Sequence, residues 1–192
     1  MSTAVSTPVP TVGFLRPWLL WTVGFLSFPI SGVVGGLVAG HVDSLFAALV
    51  GGLATGAVIG LGQGLASSRR LPIVRWILAT AVGMGLGLML GATAVGFGIA
   101  LTDLALMGAI TGVLLGAAQG LVLPGPVGSR LIWAAAMPPL WALGWTVSTL
   151  IGIDVGQQFT IFGASGAVTF SAISGALLHL LLPARSNAKD QP

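Results

Sequence analysis

The chain has 192 residues, 55% of them hydrophobic and 6% charged, with seven Lys or Arg against four Asp or Glu and no cysteine. A soluble domain carries about 25% charged residues, so this composition excludes an ordinary water-soluble globule. The few basic residues form no patch interleaved with aromatics, which excludes nucleic-acid binding, and the absence of thiols excludes thiolate metal sites, iron–sulfur clusters and cysteine catalysis.

Residues 1–16 are rich in Ser, Thr and Pro and read as a tail. Polar punctuation then separates six apolar segments, roughly 17–40, 44–66, 73–101, 104–123, 131–153 and 158–182. Each has about the 20 residues that cross a bilayer as a helix, and the first is too long for a signal-peptide core. Helices are expected because each satisfies its own backbone hydrogen bonds where water is absent. The expected fold class is an all-α integral membrane protein with six transmembrane helices.

Arg16, Arg69, Arg70, Arg75, Arg130, Arg185 and Lys189 all fall on one side of this layout, and Asp43, Asp103 and Asp154 take the three opposite turns. The positive-inside rule puts both termini in the cytoplasm. Asp43 and Asp103 stand directly before apolar runs, where an N-cap carboxylate satisfies orphan N–H groups, whereas Asp154 sits too early and belongs to the turn. A carboxylate ring of the kind found in cation channels is the other reading of the three aspartates.

The segments repeat. Gly52, Gly56, Gly60 and Gly64 recur as Gly108, Gly112, Gly116 and Gly120, and again as Gly163, Ala167, Ser171 and Gly175. Gln63 and Gln119 occupy one repeat position, which in the third copy is Ser174. Trp21, Trp76 and Trp133 head the preceding helices, each followed by a second stripe, Gly32, Gly36 and Gly40, then Gly87, Gly91 and Val95, then Gly144, Ser148 and Gly152, in which only Val95 breaks the small-residue rule. The chain is thus three copies of a helical hairpin of about 56 residues: 17–67, 68–124 and 125–183, between tails 1–16 and 184–192. A hairpin returns to its own side, so the copies are parallel, and a pseudo-threefold axis along the membrane normal is expected rather than inverted symmetry.

Glycine at every fourth place lets helix backbones approach closely where the hydrophobic effect gives little drive to associate. Gly52, Gly56, Gly60, Gly64, Gly108, Gly112, Gly116, Gly120, Gly163 and Gly175 are the expected packing positions, with further faces free for lipid, a quinone or pigment, or a partner's helix. Gln63, Gln119 and Ser174 form a candidate polar ring, either as glue between helices or as a collar for a ligand. His41 and His179 are candidate pigment ligands, but about 30 Å of bilayer separates them, so they cannot share one. Trp141 and Trp145 share a helix face at i, i+4. Pro29 and Pro138–Pro139 mark weak points in the first and fifth spans.

The tryptophans, glycine stripes and glutamines of residues 16–182, in the pattern Trp…GxxxGxxxGxxQ, resemble those of small glycine-rich multipass bacterial membrane proteins whose function is unassigned. That resemblance implies the bacterial inner membrane. No catalytic constellation stands out, and the spans hold almost no ionisable groups. The sequence points to a non-enzymatic accessory or structural subunit of a larger membrane complex, in contact with lipids and other integral membrane subunits, with a bound lipid, quinone or pigment as the cofactors its surface would suit. The alternative is a small pore or facilitator along the pseudo-threefold axis.

Overall fold

The computed structural model describes residues 13–153 and 160–182, and every regular element among them is helical. In chain order these are α1 (Leu15–Val23), a 3-10 turn (Gly24–Leu26), α2 (Ser27–Ala39), α3 (Leu45–Ala66), α4 (Ile73–Ala94), α5 (Leu101–Val122), α6 (Val127–Leu150) and α7 (Ala164–Leu181). The 3-10 turn joins α1 and α2 into one rod of 25 residues. Pro29 explains it: proline lacks an N–H and its ring crowds the carbonyl four residues back, here Phe25, so the preceding turn tightens.

Five helices are long and apolar enough to cross a membrane: the rod Leu15–Ala39, α3, α4, α5 and α7. The sixth, α6, is the longest single helix at 24 residues. Arg130, Pro138, Pro139 and three tryptophans make it less apolar than the others.

The helices form a ring in chain order. α2 packs on α3, and each helix from α3 to α7 packs on the next, before α7 closes onto α1. Among the described residues no helix packs on another across the ring, and side chains fill the middle. One end carries Arg16, Arg69, Arg70, Arg75 and Arg130, and the other carries Asp43 and Asp103. Trp21, Trp76 and Trp133 fill the interior toward the basic end, while Phe28, Phe162, Phe170, Trp141 and Trp145 fill it toward the acidic end.

Several sequence-based boundaries move. The third span was expected to reach residue 101 but ends at Ala94, where Gly96 and Phe97 adopt positive φ and turn the chain. α6 starts at Val127 rather than 131, directly after Pro126. The last span was expected from 158, but Thr160–Gly163 is non-helical and α7 begins at Ala164. Asp43 is not the cap of α3: Ser44 is, its Oγ accepting from Ala47 N at 3.2 Å. Asp103 lies at the third position of α5, where its carboxylate accepts from Ala100 N at 3.3 Å, so it supports the helix start without being the N-cap. Asp154, Arg185 and Lys189 lie outside the described residues.

Candidate functional site

The repeat tryptophans and the polar ring meet. Trp76 Nε1 donates to Gln63 Oε1, Trp133 Nε1 to Gln119 Oε1 and Trp21 Nε1 to Ser174 Oγ, each at 3.0 Å. Every repeat's tryptophan therefore bonds the polar residue of the preceding repeat, and the first repeat's bonds that of the third. The indoles also touch: Trp133 lies edge-on to both Trp21 (6.3 Å between centroids) and Trp76 (5.8 Å). Gln119 Nε2 donates to Thr80 Oγ1 at 3.0 Å and more weakly to Gln63 Oε1 at 3.4 Å. Ser174 reaches neither glutamine and joins the set only through Trp21. A buried indole needs a partner for its N–H, and a buried amide oxygen needs a donor; here each answers the other.

Most of the glycines in the repeated stripes abut a neighbouring helix. A Cβ on Gly52 would lie 2.7 Å from Met84 O, on Gly56 2.6 Å from Thr80 O, and on Gly60 2.8 Å from Ile77 Cα, so the stripe of α3 faces α4. Gly108, Gly112 and Gly116 face Trp141, Met137 and Ala134 of α6 in the same way, and Gly120 faces Arg130 O. Gly64 packs on Ile73 and Gly175 on Trp21, whereas Gly163 precedes α7 and meets only the Ile153 side chain rather than a helix. Several of these contacts aim a glycine hydrogen at a carbonyl, the geometry of a weak Cα–H···O bond between helices. For Gly116 the acceptor is Ala134 O, a carbonyl that Pro138 leaves without its helical donor.

One stripe behaves differently. Gly87 and Gly91 of α4 abut Thr111 and Met107 of α5, and Gly144 of α6 abuts the Phe162 ring. The equivalent residues of α2 do not face a helix: Gly32 meets only Ile161, and a Cβ on Gly36 would meet nothing within 4 Å. The 3-10 turn is the physical cause. Three residues wound at about 120° instead of 100° swing everything beyond them by roughly 60°.

The displaced stripe borders a cavity of about 530 Å³ between α2 and the start of α7. Pro29, Gly32, Val33, Gly36 and Leu37, one face of α2, make one wall together with Gly40 just past its end. Residues 160–164 make the opposite wall, while Phe28, Trp145 and Phe162 lie at its deep end and exposed His41 at its rim. The non-helical residues Thr160, Ile161 and Phe162 are themselves buried. Thr160 Oγ1 accepts from Thr55 Oγ1 at 2.8 Å, and Phe162 stacks on Phe28 at 5.4 Å and meets Trp141 edge-on at 5.0 Å. Gly35 and Gly51 leave room for Thr160. α7 therefore starts eight residues later than the repeat predicts, since α3 and α5 begin seven residues before Gly52 and Gly108 whereas Ala164 follows Gly163.

Sequence reasoning missed Thr55, Thr160 and the Phe28–Phe162 stack. A signal existed in Thr55 and Thr111, which stand at one repeat position inside apolar runs. The two histidines lie at opposite ends, His41 at the cavity rim and His179 edge-on to Phe14 at 5.0 Å. At the basic end Arg70 is half-buried, its Nε donating to Ser67 O at 2.8 Å and its Nη1 to Leu182 O at 3.4 Å. Desolvation lowers the pKa of its guanidinium from the ordinary value. Among the described residues no group of three or more His, Asp or Glu comes together as metal ligands would. No known protein family, curated protein or solved structure matches the chain.

Proposed function

We propose that the chain is a non-catalytic accessory or structural subunit of a larger membrane assembly. It crosses the bacterial inner membrane six times as three parallel hairpins about a pseudo-threefold axis, with the basic end in the cytoplasm. The observation that carries this reading is the cyclic set of tryptophan bonds to Gln63, Gln119 and Ser174. It gives each repeat the same role toward its neighbour, as an approximate threefold arrangement requires. It also turns the polar groups of the spans inward onto one another, while Leu37, Phe46, Val74, Leu121, Leu150 and Leu180 point outward. Such a body suits a scaffold in lipid.

Because the long glycine stripes are occupied within the bundle, partner helices and lipids would meet this aliphatic belt rather than glycine faces. A pore along the axis would have to pass three fully buried indoles, Trp133 packed edge-on against the other two, which favours the scaffold reading. The test is purification from the native membrane in mild detergent, followed by a native gel and mass spectrometry. Bands holding this chain with other integral membrane proteins support the proposal. A band holding this chain alone overturns it.

A further inference from the structure

We propose that the cavity beside α2 binds one acyl chain of a membrane lipid, seated along Gly32, Gly36 and Gly40 with its methyl end against Phe28 and Phe162. This rests on the reading that the bundle spans a bilayer. Three observations converge on that occupant.

The first is length. From Phe28 to Gly40 the α2 wall runs twelve residues, about 18 Å at 1.5 Å per residue. Phe28 lies near the middle of the 25-residue rod, and His41 lies just past its end. The cavity therefore runs from one membrane surface to the bilayer centre, a depth of about 15 Å for half of a 30 Å hydrocarbon core. That is the extent of one leaflet's acyl chain.

The second is size. A volume of about 530 Å³ falls in the range of ligand pockets. Water gains little there, because the apolar walls offer it few hydrogen-bond partners. Here the wall of α2 is Pro, Gly, Val and Leu, and the hydroxyl of Thr160 is engaged by Thr55.

The third is the broken repeat. Copies two and three fill the equivalent small-residue stripe with Thr111, Met107 and Phe162, whereas copy one leaves Gly36 open. Two departures produce this vacancy: the rotated α2 and the late start of α7. A void lined by packed side chains forfeits their dispersion contacts, so a flexible hydrocarbon chain at the opening gains by filling it.

The experiment reconstitutes the full chain in phosphatidylcholine vesicles doped with a phospholipid bearing a diazirine on one acyl chain. It is then irradiated and the adducts are mapped by mass spectrometry. Leu121 and Val74, exposed on the outer belt, report ordinary lipid contact. Adducts at Phe28, Ile161 and Phe162, which line the cavity but are buried from the outer belt, are expected to exceed those at Leu121 and Val74 at least fivefold. Gly36→Leu, which projects into open space, is expected to abolish that excess while leaving the belt adducts unchanged. Equal labelling of cavity and belt, or an excess that survives Gly36→Leu, overturns the proposal. A chromophore that co-purifies at one per chain and is lost in Gly36→Leu overturns the acyl assignment in favour of a planar ligand. No labelling of the belt itself would remove the membrane reading, and the proposal with it.

Discussion

Replacing Gly56 with alanine is the sharpest probe of the packing argument. Its Cβ would sit 2.6 Å from Thr80 O, 2.7 Å from Met84 Cβ and 2.8 Å from Ala81 Cα. Nonbonded carbons are at their optimum near 3.5–4.0 Å, so α3 and α4 must part by about 1 Å locally. Two of the three atoms are backbone, so no side-chain rotation relieves the clash. A radial gap of that size forfeits a quarter to a half of the dispersion energy of each contact along the seam. Overpacking of this kind costs about 1–3 kcal/mol, which multiplies the unfolding constant roughly 5- to 150-fold. Gly36→Ala is the matched control, because the same methyl there meets nothing within 4 Å. It removes a glycine from a helix interior and is expected to be neutral or stabilising by up to about 1 kcal/mol. The assay is reversible unfolding in mixed micelles by titration with sodium dodecyl sulfate, following tryptophan fluorescence. A Gly56→Ala midpoint equal to the wild type, with Gly36→Ala shifted downward, would refute the assignment of which glycines carry helix contact.

The tryptophan ring makes a graded expectation. Trp133→Phe leaves Gln119 Oε1 without a donor and should cost about 1–3 kcal/mol beyond the lost ring area. Trp76→Phe should cost less, since Gln63 Oε1 still receives the longer bond from Gln119, and Trp21→Phe least, since Ser174 Oγ keeps Ser171 O. Unfolding midpoints in that order check it. Gln63→Leu and Gln119→Leu should be coupled, the double variant losing less than the sum of the singles by about 0.5–3 kcal/mol in a double-mutant cycle. Thr55→Val should destabilise by about 1–3 kcal/mol and raise hydrogen exchange at residues 160–163, because their anchor in α3 is the Thr55 hydroxyl. Vesicles carrying the chain are expected to show no ion leak above protein-free vesicles in a dye-flux assay, since the three indoles close the middle of the ring.

Much of the molecule was legible as a line of letters. Composition and hydropathy marked the long apolar helices, and the spacing of Trp21, Trp76 and Trp133 with the glycine stripes marked a repeat, because small residues at every fourth place are a local requirement of close helix contact. Gln63, Gln119 and Ser174 stood out for the same reason: polar groups in an apolar run need partners. Their partners were not legible. That each bonds a tryptophan of the next repeat depends on which helix lies beside which, and the Trp21–Ser174 bond joins residues 153 apart. The late start of α7 was invisible too, because Thr160, Ile161 and Phe162 are as apolar as a helix would be there. Only their fit against Thr55, Gly35 and Phe28 holds them non-helical. Sequence by itself determined the repeated scaffold, since periodicity and hydropathy act within each helix. Tertiary structure alone decided where the repeat fails: a 3-10 turn at Pro29 and a shortened α7 act on different repeats, and they open one cavity only when the ring brings the two side by side.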